Sequence, residues 1–435
     1  MKGWFRALLA RMLEHQVRRL IKRHHPGIVA VGGSVGKTST RMAVVAMLSQ
    51  KFRTQSIAQP GYNSEIGLPL SVFELDVPRR LYNPFAWLWR IIETEAIIQS
   101  EYRHQMLVLE VGTDQPGEIA RSLRFLKPDV GVITAVTPEH MQNFPGGLDE
   151  VAAEELLLAP ASRKLVVGRD DIPGVYRRKY LDAHRDLHTY GSASDDDYQI
   201  KIEATSPTDG TTGQLLKNRH VVVGHLKLRL FGLQSVKTAV AAYAVGDQLG
   251  LTKKELASGL EKIRATRGRM RVFAGVNGST ILDDSYNSSP EALAAALDAV
   301  MKTKVAGRRI AILGSMNELG MQSPRYHEAA GVLAAGVDVL VTVGGLASGY
   351  LGPAAVRAGL DPTRFQVADS PQAAGEYVKL LLRPGDLVLV KGSQDGVYAE
   401  EASKILLENP ADGSYLVRQS PEWLRRKAKS FPARS

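Results

Sequence analysis

The chain has 435 residues, 44% hydrophobic and 23% charged, a length that predicts two or three domains and not a single core. It contains no cysteine, which excludes disulfides and thiolate-bound zinc. The formal charge of +10, from 55 basic and 45 acidic residues, suits anionic substrates, nucleic acid or an acidic membrane surface.

No zinc-finger or RNP-type aromatic pattern supports nucleic acid, so none is expected as a partner. No apolar run is long enough to span a bilayer, and the N-terminus lacks the pattern of a signal peptide. A cytoplasmic location is therefore the expectation. Residues 1–24 place Trp4, Phe5, Leu8, Leu9, Met12 and Leu13 on one helical face, with Arg6, Arg11, Arg18 and Lys22 largely elsewhere. That periodicity fits a helix packed on the next domain. It also fits, as the less favoured reading, a basic amphipathic helix at the inner face of a membrane, and spacing alone does not separate the two.

Pro26 ends this helix, and Ile28–Val31 reads as a short buried strand. Gly33-Ser34-Val35-Gly36-Lys37-Thr38 follows, ahead of a helical run at Arg41–Leu48. Strand, glycine loop and helix together form a phosphate cradle, in which backbone N–H groups and the helix N-terminus meet an anion. Lys37 would reach the outer phosphates of ATP, and the Thr38 hydroxyl, next to Ser39, would meet Mg²⁺. The spacing departs from the usual P-loop pattern, since Val31 stands five residues before Gly36.

Trp87, Leu88, Trp89, Ile91 and Ile92 predict a helix whose bulky side chains pack in the core. Buried strands follow at Met106–Val111 and Val130–Ala135. Glu110 and His140 lie at or beyond their C-terminal ends, where an open α/β sheet binds its ligands. Glu110 is a candidate for holding the phosphate-bridging Mg²⁺. From Leu165 to Leu230 the chain is strand-like and polar, and Arg264–Arg271 reads as a hinge. Strand and helix then alternate to Val390, which predicts a second, mostly parallel sheet covered by helices. Asp283–Pro290 and Lys391–Ser393 each follow a strand. The end of the chain, Leu424–Ser435, is basic and reads as a frayed tail.

In this order the segments resemble the Mur ligases, and among them the MurF branch, which adds D-alanyl-D-alanine to a peptidoglycan precursor. The resemblance rests on Gly33–Thr38, Tyr62–Pro69, Leu109–Gly112 with Gly117–Ile119, Thr137–Phe144, Arg267–Arg269, Asp283–Pro290, Leu313–Gly320 and Lys391–Ser393. It implies an α/β fold with a central P-loop ATPase-type domain and a C-terminal Rossmann-like domain. The boundaries expected are a helix at 1–25, an ATP-binding domain at 26–265, a C-terminal domain at 266–422 and a tail at 423–435. It further implies an amide-forming ligase that works through an acyl phosphate, with ATP and Mg²⁺. A muramyl-peptide-type acceptor and an amino acid or dipeptide donor would be its substrates. By motif position, Lys37, Glu110, His140 and Glu155 would be catalytic. Thr38, Glu110, His140 and Glu155 would hold metal, and Arg269, Asp284, Tyr286 and Asn287 would join the glycine loop around the nucleotide.

Several positions depart from the family pattern. Glu155, with Glu154 as the neighbouring register, stands where the family carries a carbamoylated lysine. Gln234-Ser235 replaces a His-Asn pair, and Ala135, Ser315 and Gln394 replace Asn, Asp and Arg. With the first strand beginning at Ile28, the family's UDP-sugar-binding N-terminal domain is expected to be missing, and the acceptor to lack UDP or be held by a partner. The alternatives are a partner-dependent, non-catalytic ATP-binding subunit and a P-loop phosphotransferase unrelated to ligation. The latter leaves Asp283–Pro290 and Lys391–Ser393 unexplained.

Overall fold

The computed structural model describes residues 2–55, 64–78 and 83–431, so Tyr62 and Asn63 of the quoted motifs lie outside it. The first part of the chain holds six helices to which the site is referred. They are α1 (Lys2–His24), α2 (Lys37–Leu48), α3 (Gly67–Val72), α4 (Pro84–Gln99), α5 (Glu118–Leu123) and α6 (Leu148–Glu155). Its strands are β1 (Gly27–Gly32), β2 (Met106–Glu110), β3 (Val130–Ile133), β4 (Lys164–Gly168), β5 (Leu187–Gly191), β6 (Tyr198–Ser206), β7 (Gly210–Lys217) and β8 (His220–Leu228). They form one sheet in the order β2-β1-β3-β4-β5-β6-β7-β8.

The first six strands in that order pair parallel, and β6, β7 and β8 close the sheet as an antiparallel meander. The parallel strands are apolar on both faces because helices cover both. On one side Val29, Val31 and Val108 meet α2 and the helix Leu233–Gln248; on the other Ile28, Ala30 and Leu109 meet Val17 and Leu20 of α1. From β1 the chain goes on to β2 on one side, and from β3 it goes on to β4 on the other. The loops after β1 and β3 therefore part at a crevice above the strand ends, the place where such sheets bind ligands.

A second sheet comprises β9 (Arg271–Gly275), β10 (Ser279–Asp284), β11 (Arg309–Gly314), β12 (Val339–Val343), β13 (Phe365–Ala368) and β14 (Leu387–Lys391). Its order is β13-β12-β11-β14-β10-β9, parallel except for the edge strand β9. Two apolar clusters line its faces, one around Leu282, Leu313 and Leu389 and the other around Ile281, Ile312 and Val390. Two mostly parallel sheets with helices on both faces agree with the fold class read from the sequence.

Two expectations need correction. In α4 only Trp87, Thr94 and Ile98 are buried, whereas Leu88, Trp89 and Ile92 are exposed. A helix turns by 100° per residue, so the stripe facing α1 and α3 cannot also take the side chains on the opposite face. The C-terminal end is not frayed over its described length: Pro421–Ser430 forms a helix, N-capped by Ser420 and opened by Pro421. Lys427 on this helix is buried, its ammonium 2.8 Å from Glu400 and 2.6 Å from Glu401. A basic composition reads as a solvated tail until its acidic partners, folded in from elsewhere, are seen.

Candidate active site

Gly33, Ser34, Val35 and Gly36 form the turn between β1 and α2, and Lys37, Thr38 and Ser39 are the first residues of the helix. Gly33 and Gly36 have φ of 116° and 89°, values that glycine alone adopts without cost. The turn is pinned to the β3 loop: Ser34 N–H donates to Ala135 O at 2.9 Å, and Thr137 N–H donates to Ser34 Oγ at 3.0 Å. The Lys37 ammonium folds back onto the turn, donating to Gly33 O at 2.6 Å and Ser34 O at 2.9 Å. Burial works against its charge, but the carboxylates of Glu139, Glu155, Glu110 and Asp114 outweigh that and raise its pKa.

Thr38 Oγ1 donates to Glu110 Oε2 at 3.0 Å, so these two candidates meet at the ends of β1 and β2. Two hard oxygens at the foot of a phosphate cradle fit Mg²⁺, which takes few protein ligands and completes its shell with phosphate and water. Glu155 turns elsewhere. Its Oε2 accepts the Gly33 N–H at 2.8 Å, beneath the loop, while Glu154 Oε1 accepts Ile119 N–H at 2.8 Å in the first turn of α5. Of the two registers, it is Glu155 that faces the glycine turn. Burial pushes the Glu155 carboxyl up to about 7, with Lys37 and the Gly33 N–H opposing the shift.

His140 takes a left-handed conformation, φ 53°, and sits between two acids. Its Nδ1 is 2.7 Å from Glu318 Oε2 and its Nε2 is 3.3 Å from Asp114 Oδ1. Burial lowers its pKa, but Glu318, Glu139 and Asp114 leave it raised overall. Thr38, Glu110, His140 and Glu155 thus do not form one cluster. Among the described residues, no group of three or more His, Asp or Glu is close enough to hold a metal ion.

From the second sheet, the loop after β10 carries Asp284, Tyr286 and Asn287. Asp284 Oδ2 is 2.6 Å from the buried Lys391 ammonium, which also donates to Asn287 O at 3.0 Å. The Arg269 guanidinium stacks 4.4 Å from the Tyr286 ring centroid. Arg418 donates to Ser285 O at 2.6 Å and Tyr286 O at 2.9 Å, and also pairs with Glu400. Sequence reasoning did not assign Glu139, Glu318, Lys391 or Arg418. Glu139 stands beside His140 in a quoted motif, and Glu318 and Lys391 lie in others, but Arg418 offers no local signal.

The chain matches the Mur ligase middle domain over residues 90–246 and the Mur ligase, glutamate ligase domain over residues 268–394, together more than half of its length. It is 29% identical over 387 residues to the UDP-N-acetylmuramoyl-tripeptide–D-alanyl-D-alanine ligase of Synechocystis, covering 88% of this chain and 75% of that one. The protein of the same name from Bacillus subtilis is 26% identical over 391 residues, with coverage of 88% and 76%. Among solved structures, MurF ligase from Thermotoga maritima in complex with ADP superposes with a TM-score of 0.72 at 23% identity, over 96% of this chain and 84% of that one, a likeness of fold. On these two domain matches, which together cover more than half of it, the chain belongs to the Mur ligase family.

Proposed function

We propose that this chain is an ATP-dependent ligase that joins D-alanyl-D-alanine to the free carboxylate of a muramoyl tripeptide. The observation that carries the reading is the Lys37 ammonium, seated in the glycine turn and ringed by carboxylates beside the Thr38–Glu110 oxygen pair. In this reading ATP enters over the turn, and Lys37 exchanges its two carbonyl contacts for phosphate oxygens. The γ-phosphoryl group passes to the acceptor carboxylate, giving an acyl phosphate and ADP. The dipeptide amine then attacks the acyl carbon, phosphate leaves, and an amide remains. Mg²⁺ held by Thr38 and Glu110 would neutralise phosphate charge. The protein's own part is positioning and charge stabilisation by Lys37 and the backbone N–H groups of the turn. Asp284, Tyr286, Asn287 and Arg269 would close on the nucleotide from the second sheet.

The amine site is where the family pattern is altered. Ser315 Oγ accepts Ala347 N–H at 3.1 Å, so one acceptor position of its hydroxyl is taken by the helical segment after β12. The test is phosphate release from Mg²⁺-ATP with UDP-linked and lipid-linked muramoyl tripeptide, each with D-alanyl-D-alanine, with single amino acids, or with no amine. Release that requires both acceptor and dipeptide, and disappears in Lys37→Ala, is the expected result. Release with a single amino acid in place of the dipeptide would reassign the donor. Silence with every pair, with ATP still bound, would overturn the ligase reading.

A further inference from the structure

α1 and α4 pack side by side and run in the same direction. Met12 lies near Ile91, Arg19 pairs with Glu95, and His24 reaches Ile98 O at 2.9 Å. Their inner stripes are filled: Leu9, Leu13 and Trp87 share one buried cluster with Ile66 and Leu70. Their outer faces are not. On α1, Trp4 is 72% exposed, and Leu8 and Met12 are exposed one and two turns on. On α4, Phe85 is 79% and Trp89 62% exposed, with Leu88 and Ile92 beside them. Seven large apolar side chains are thus exposed on two adjacent helices, more than a soluble monomer usually leaves to water.

The charge around the patch indicates what covers it. Arg11, Arg18 and Lys22 are exposed along the same outer face of α1. The one acid of this helix, Glu14, is buried between Arg18 and Arg124. On α4, Glu95 is engaged by Arg19, and Glu93 by Arg90 and Trp89. Among the described residues, the acids of α1 and α4 are thus already paired, and the charge left over on α1, at Arg11 and Lys22, is positive. We propose that this face docks on the surface of an anionic lipid bilayer. Trp4, Phe85 and Trp89 would enter the headgroup boundary, where aromatic side chains are favoured, and Arg11 and Lys22 would meet lipid phosphates. A second copy of the chain would bring the same positive face and be repelled. Contact would be peripheral, because among the described residues no helix is long and apolar enough to cross a membrane.

The inference does not depend on the ligase reading, since binding is measured without nucleotide or acceptor. The full chain is co-sedimented with vesicles of equimolar phosphatidylglycerol and phosphatidylcholine, and with vesicles of phosphatidylcholine alone, at low and high salt. Expected is binding to the anionic vesicles that weakens with salt. Arg11→Gln with Lys22→Gln should weaken it roughly thirtyfold, and Leu88→Ser with Trp89→Ser about tenfold or more. All four side chains are exposed, so both double variants should keep the parent's circular dichroism and melting temperature. No binding to the anionic vesicles overturns the proposal, as does equal binding to both vesicle types or unaltered binding by the variants. Self-association without vesicles that the same substitutions abolish would also overturn it, assigning the face to a second copy.

Discussion

His140 Nδ1 and Glu318 Oε2 lie 2.7 Å apart, and the pair joins the loop after β3 of the first sheet to the loop after β11 of the second. Both residues have positive φ, 53° and 66°, a conformation that costs a side-chain-bearing residue on the order of 1 kcal/mol and persists where contacts repay it. The Glu318 loop is itself held from behind, because the buried His327 accepts Met316 N–H through Nε2 at 2.8 Å. The contact therefore has a rigid footing on the second sheet. If it aligns the two halves for catalysis, Glu318→Ala should lower kcat about tenfold, with a smaller change in KM for ATP. Steady-state phosphate release reads both constants, and an unchanged kcat would remove Glu318 from the positioning machinery.

The two glycines of the turn make a controlled comparison. A Cβ on Gly33 would collide with Thr134 Oγ1 and come within 2.9 Å of both Ala135 N and O, whereas on Gly36 the nearest atom is Thr134 Cβ at 3.8 Å. Both positions have positive φ, so alanine brings about 1–2 kcal/mol of backbone strain to each. Only at Gly33 does it also meet backbone that cannot yield. Gly33→Ala should abolish nucleotide binding in titration calorimetry, while Gly36→Ala weakens it about tenfold. Equal losses would mean that backbone conformation alone, and not the close approach to β3, shapes the cradle.

The part of the site that the sequence discloses is the part made by neighbours in the chain. Lys37 and Thr38 open the helix after the turn that follows their strand, and Glu110 ends the next strand, so a strand–turn–helix pattern suffices to bring Thr38 and Glu110 together. What it does not disclose depends on rotation or on distant partners. Glu154 and Glu155 differ by 100° on α6, which sends one to the α5 N-terminus and the other to Gly33. Trp87 and Trp89 differ by twice that, which separates core from surface. Glu318 and Arg418 act on residues more than a hundred positions away, His140 and Tyr286, and no local period encodes such a pairing.

The C-terminal helix is a structural element if its buried ammonium matters. Lys427 and Arg418 together neutralise Glu400, which is wholly buried. Lys427→Met keeps the aliphatic stem and removes the charge, leaving two carboxylates short of a partner. Removing one side of a buried pair costs on the order of 3 kcal/mol. The urea midpoint of the unfolding step that reports the second sheet should fall accordingly. Because Arg418 also holds the Ser285–Tyr286 backbone, ATP affinity should weaken too. A midpoint equal to the parent's would restore the reading of this segment as a tail.

Asp283 gives the clearest pH signature. It is fully buried on β10, and its Oδ1 accepts the Ser403 hydroxyl at 2.8 Å. Burial pushes its pKa from 3.8 up to about 6, reinforced by Glu400 and Asp284. The folded state therefore binds the proton more tightly than the unfolded state, so this residue costs nothing below pH 3.8. Its cost grows as pH rises toward 6 and is constant above that, at about 3 kcal/mol. Asp283→Asn keeps the acceptor for Ser403 and cannot ionise. Its stability relative to the parent should thus improve by up to about 3 kcal/mol between pH 4 and pH 6 and then level off. Groups common to both proteins cancel in that difference. Urea unfolding of the two proteins across this range reads it directly, and a difference that does not vary with pH would show that Asp283 stays ionised in the folded chain throughout.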